Sequence, residues 1–78
     1  MEVVIADDAA HEELFADIGD ENIYWGRVTY DPATQRFMLT IFHHLDQDQY
    51  VFPLSKVQIA LEEARKRLTE MGYEERIE

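Results

Sequence analysis

The stretch Gly26–Phe42, "GRVTYDPATQRFMLTIF", constrains this chain more than any other. Two runs rich in β-branched and aromatic residues flank a turn built on Asp31 and Pro32, the composition of a β-hairpin. Asp31 can accept backbone N–H bonds across the turn, and Pro32 presets φ for its first corner. Strands are expected near Ile23–Tyr30 and Arg36–His43, joined by "DPATQ". Apolar side chains stand on both sides of this hairpin, although a small domain needs only one apolar face.

The string "TYDPATQRFMLT" resembles the second hairpin of the immunoglobulin-binding domain of protein G, through Thr29, Tyr30, Asp31, Ala33, Thr34 and Phe37. The resemblance covers about a dozen of the 78 residues, and the order of the remaining elements differs. It implies a turn geometry and a register, and nothing about antibodies. That register pairs Tyr30 with Phe37, Val28 with Leu39, Gly26 with Ile41 and Tyr24 with His43. Because side chains alternate along a strand, one face then carries Tyr24, Val28, Tyr30, Phe37, Leu39 and Ile41, the expected core. The other carries Ile23, Trp25, Arg27, Thr29, Met38, Thr40 and Phe42. A fully solvated face does not need Trp25 opposite Phe42. Either the N-terminal segment covers them or they form a contact surface, as exposed apolar patches and Trp-rich clusters tend to do.

After a polar turn, "HHLDQDQ", the run Tyr50–Phe52 reads as a further strand closed by Pro53. The clearest helix follows, over 55–72. Ser55 and Gln58 match a capping box, and Gly72 marks the end. Val57, Leu61, Ala64, Leu68 and Met71 make one apolar stripe that is expected to lie on the sheet. Glu62 with Lys66 and Glu63 with Arg67 sit at supporting i,i+4 spacing.

The first 22 residues hold eight carboxylates and no Lys or Arg, whereas the rest is nearly balanced; the net charge is −10. "EVVIA" at Glu2–Ala6 suits an edge strand. "DDAAHEELFADIG" allows a short helix, with Ala10, Leu14, Phe15 and Ile18 on one face and Gly19 as its stop; a strand through Leu14–Ile18 is the rival. The fold class expected is therefore α+β: an antiparallel sheet of three to four strands, a C-terminal helix on one face, and a possible short N-terminal helix. It forms one domain, with an acidic segment 1–22, a β-meander 23–53 and the amphipathic helix.

Chemistry is sparse. The chain has no cysteine, only three glycines and no phosphate-cradling loop. His43 and His44 are neighbours on an expected strand and point to opposite faces. His44, Asp46 and Asp48 form at most a weak cation site in a solvated turn. The pattern points to no enzyme, no metal and no cofactor. Acidity argues against direct nucleic-acid binding, which rests on Lys and Arg. No apolar run approaches the ~20 residues of a membrane span, and no leader pattern is visible, so a cytoplasmic protein is expected. The function expected is protein–protein interaction, with itself or with a larger partner. The candidate contact residues are Trp25, Phe42, Ile23, Met38 and Arg27 on the second sheet face, and Glu12, Glu13 and Asp17 in the acidic segment. The alternative is an acidic decoy of phage type that mimics nucleic acid; a small-ligand or metal carrier is weaker.

Overall fold

A computed structural model describes residues 1–8, 10, 13–20, 23–42, 49 and 51–76. Four strands, β1 (Glu2–Asp8), β2 (Glu13–Asp20), β3 (Ile23–Asp31) and β4 (Arg36–Ile41), are followed by one helix, α1 (Leu54–Glu70). The strands pair antiparallel in chain order, β1-β2-β3-β4, and α1 packs on one face of the sheet. The fold is α+β. No described helix is long and apolar enough to cross a membrane, which says nothing of a β-barrel.

The hairpin register holds: Tyr30 faces Phe37, Val28 faces Leu39 and Gly26 faces Ile41. His43 lies outside the described residues. Asp31 organises the turn as its chemistry suggests, accepting from the Ala33 N–H and the Thr34 hydroxyl, both at 3.0 Å. Gln35 takes the left-handed conformation, φ 57°, that closes the turn, and its N–H donates to the Asp31 carbonyl.

From Glu13 onward, the segment expected as a short N-terminal helix is strand β2; Asp8 ends β1, and residues 9, 11 and 12 lie outside the described residues. Leu14, Ala16 and Ile18 alternate toward α1, and Ala16 and Ile18 are fully buried. Phe15 and Asp17 point the other way. Tertiary pairing on both sides outweighs the helical spacing of Leu14 and Ile18, because alternation satisfies the backbone of β1 and β3 at once. Gly19 is not a helix stop. It sits at a β-bulge where Ile18 pairs with Gly26 but Gly19 pairs with Tyr24, so that Trp25 is an extra residue in β3. A Cβ on Gly19 would stand 2.6 Å from the Tyr24 Cα and closer still to the Ile23 carbonyl oxygen. Only glycine permits that approach.

The bulge corrects the face assignment. An inserted residue moves every side chain beyond it to the opposite face. Trp25 therefore turns toward the helix, 6% exposed, and joins Ile18, Val28, Ala60, Ala64 and Leu68 in the core. Its ring lies 5.2 Å from that of Phe52. Tyr24, expected in the core, pairs with Gly19 and leaves it. Trp25 and Phe42 are thus not a pair on one face, and Trp25 is buried within the chain.

The helix begins one residue early, at Leu54. Pro53, which has no N–H, occupies the N-cap position, and its carbonyl accepts from Lys56 and Val57; no side chain caps the helix, so the capping box does not form. The C-terminus is a Schellman motif: Tyr73 N–H donates to Leu68, Gly72 N–H to Thr69, and Gly72 adopts φ 108°. Within the stripe, Ala64 and Leu68 are buried together with Ala60, Val57 and Leu61 are half-buried, and Met71 is exposed at the cap. Arg67 donates 2.7 Å to the Val3 carbonyl of β1, and Arg65 pairs with Glu62 and Glu75. Val51–Pro53 have no regular structure, so the strand expected there is absent from them; Tyr50 lies outside the described residues.

Candidate interaction surfaces

The sheet face away from α1 is organised by one arginine. Arg27 stands opposite Asp17 in the β2–β3 register and donates to both of its carboxylate oxygens, at 2.7 and 3.2 Å. The guanidinium carbon lies 3.9 Å from the centre of the Phe15 ring and 5.4 Å from that of Phe42. The hydrogen bonds that Arg27 donates to Asp17 raise its pKa further, against a smaller opposing effect of burial, so its charge is permanent. Fork pairing and ring stacking satisfy this cation in place. Phe42 thus has a contact within the chain.

The expected contact residues are therefore scattered. Asp17, Arg27 and Phe42 come together, with Phe15 added. Met38 is exposed on the same face, in β4. Ile23 is exposed at the opposite end, beside the β2–β3 turn. Glu13 begins β2, on the surface; Glu12 lies outside the described residues, as do His44, Asp46 and Asp48. Among the described residues no group of three or more His, Asp or Glu is placed to hold a metal ion. A shallow hollow of about 420 Å³ under the hairpin turn is lined by Arg36, Arg76 and Asp31, and the Asp31 carboxylate there is already holding the turn.

An open apolar surface lies at β4. Helix α1 sits over β1 and β2, and less over β3. A helix ~10 Å across spans about two strands at ~4.8 Å spacing, so one helix cannot roof four strands. Leu39 and Ile41, expected in the core, point to the helix side yet remain 43% and 65% exposed. Between β4 and α1 runs a groove of about 270 Å³, floored by Val28, Phe37, Leu39 and Leu61 and rimmed by Glu62 and Arg65. Leu54, two turns before Leu61 on the same helix flank, is 70% exposed.

Among the described residues, the backbone of β4 is open beside this groove. The Phe42 N–H donates 2.8 Å to the Trp25 carbonyl. Bonded and non-bonded pairs alternate in an antiparallel ladder, so Thr40 and Met38 also face β3. Phe37, Leu39 and Ile41 turn their N–H and C=O groups to the free side. The C-terminal segment occupies the first of these places: Glu75 Oε2 accepts from the Phe37 N–H at 3.1 Å, and the Arg76 N–H donates to the Gln35 carbonyl. Tyr73 and Glu74 anchor that segment, the Tyr73 hydroxyl accepting from the Leu14 N–H and the Glu74 carbonyl accepting from the Tyr30 hydroxyl. Among the described residues, none of its hydrogen bonds reaches Leu39.

No protein-family model matches this chain, and no curated protein or solved structure shows a significant likeness to it. The resemblance to protein G stays a property of one hairpin.

Proposed function

We propose that this chain is a non-catalytic protein-interaction module that receives an extended strand of polypeptide at the free edge of β4. The carrying observation is the coincidence of open backbone groups at Leu39 and Ile41 with the exposed apolar groove behind them. Strand addition uses both, main-chain hydrogen bonds for affinity and alternate side-chain pockets for specificity. An uncovered, uncharged, apolar edge is otherwise a hazard that soluble proteins blunt. The Arg27 cluster supports the reading indirectly, since its charge and rings are satisfied within the chain.

A photo-activated cross-linker placed at Ile41 tests it. In cells it captures polypeptide, whether another protein or this chain itself, while the same group at Glu63, on the helix surface, captures none above background. Equal, low yields at both positions overturn the reading.

A further inference from the structure

We infer that the strand received at β4 is β4 of a second copy of this chain, antiparallel, about a two-fold axis that passes through Thr40. The inference rests on the β4 edge being the contact surface, and it fixes partner and register. With Phe37 occupied by Glu75, the free edge offers two donors and two acceptors, on Leu39 and Ile41. A copy turned about Thr40 presents the same set in reverse. Leu39 of each copy then exchanges both its bonds with Ile41 of the other, and all four N–H groups find carbonyls. The exchange asks no bond of Phe37, whose N–H Glu75 already takes.

The side chains agree. A two-fold axis perpendicular to the sheet keeps both helices on one face. The two β4–α1 grooves, each lined by Leu39 and Leu61, open toward one another, and the exposed Ile41 and Leu54 of each copy add apolar surface on the same side. Interfaces of this symmetry require a self-complementary patch: along the paired strand no ionisable side chain occurs from Phe37 to Phe42, and of the charges beside the groove Arg65 is already paired with Glu62 and Glu75 within its own chain. A strongly acidic or basic partner strand would find no counter-charge along that stretch. The net charge of −10 does not forbid pairing. The acids Glu2, Asp7, Asp8, Glu13 and Asp20 lie on β1 and β2, two to three strand spacings from the seam. That is ~10–14 Å, beyond the ~8 Å screening length of physiological salt.

The chain has no cysteine, so one introduced thiol reports the register. Thr40 would face Thr40 of the second copy in a non-hydrogen-bonded pair with Cα atoms ~4.5 Å apart, inside the range a disulfide accepts. Under mild oxidation T40C is expected to form the covalent dimer at least ~10-fold faster than L39C or V4C, the last on the opposite edge. Unmodified protein is expected to show concentration-dependent dimerisation in sedimentation equilibrium. Faster cross-linking of L39C than of T40C overturns the stated axis. A wild-type monomer throughout, with T40C no faster than V4C, overturns the dimer. If that happens while the cross-linker at Ile41 captures a different polypeptide, the second-copy inference falls and the β4 reading stands.

Discussion

The two edges of this sheet are treated differently. At β1, charged Glu2, Asp7 and Asp8 punctuate the strand, the helix lies close above, and the Arg67 guanidinium caps the Val3 carbonyl. These are devices by which edge strands avoid unwanted pairing. At β4 the strand from Phe37 onward is uncharged, the helix stands back, and among the described residues the cover is the C-terminal segment, whose contact lies at Phe37. A fold of one helix on four strands must leave something uncovered. The offset of α1 decides which edge, and the charge pattern follows that choice. Protection at β1 and exposure at β4 are therefore one arrangement read from two sides.

The largest effect expected lies in the protected half. Leu68 is fully buried, so Leu68→Ala should cost on the order of 2–5 kcal/mol in urea unfolding. Leu61 borders the open groove and is only half-buried. Leu61→Ala should cost less than half as much, since a partly exposed side chain loses less transfer free energy. Equal losses would mean that the helix is centred on the sheet and that the β4 groove is closed in solution.

Next comes the bulge that turns Trp25 inward. Gly19→Ala places a methyl against the Ile23 carbonyl and should destabilise by at least ~1–3 kcal/mol, as forced overpacking does. Trp25 emission should shift to the red and become accessible to quencher if the insertion is expelled and the register slips. An unchanged melt with unchanged emission would show that the backbone approach at Gly19 is looser than drawn, and would reopen the assignment of faces.

How far the sequence speaks follows from these same residues. The β3–β4 hairpin was legible because its turn chemistry and its alternation are local, and the register depends on nothing else. The helix was legible from its stripe and from Gly72. Strand β2 was not, because Leu14, Phe15 and Ile18 fit a helical period as well as the alternation of Leu14, Ala16 and Ile18. Small Ala16 hides that alternation, and only the neighbouring strands decide. The bulge was invisible for a similar reason. One extra residue in β3 is defined against β2, so no pattern within Tyr24–Gly26 announces it, though a glycine in each of two paired strands was a usable hint. The exposure of Leu39 and Ile41 was derivable from geometry, since the width of a single helix limits what it covers. The Arg27 cluster needed β2 to be a strand before Phe15 and Asp17 could meet Arg27.

A smaller effect is expected from that cluster. The Asp17–Arg27 pair is partly open to solvent, 17% and 38% exposed at the side chains. Its coupling in a double-mutant cycle with alanine should be about 1 kcal/mol or less, and should shrink as salt is added. A coupling several-fold larger would make this face a buried one, covered in the assembled protein, and would move the contact surface from the β4 edge to the sheet face.

The smallest change in stability is expected where the proposed consequence is greatest. Val4 on β1 and Ile41 on β4 are both exposed, so V4K and I41K should each leave the unfolding free energy of the single chain within ~0.5 kcal/mol. Both strands would then carry an edge lysine, the common gatekeeper of natural sheets. Only I41K should abolish self-association, because β1 is already protected and β4 is not. Salt sharpens the contrast. Two copies of a chain with net charge −10 repel at long range, so pairing through an uncharged β4 seam should strengthen as ionic strength rises. Recruitment of a basic partner by the acidic strands would weaken under the same titration. Sedimentation of wild type, V4K and I41K across a salt series therefore reads the sign directly. Association that falls with salt and is lost in V4K would reverse the comparison and make the acidic edge the working one.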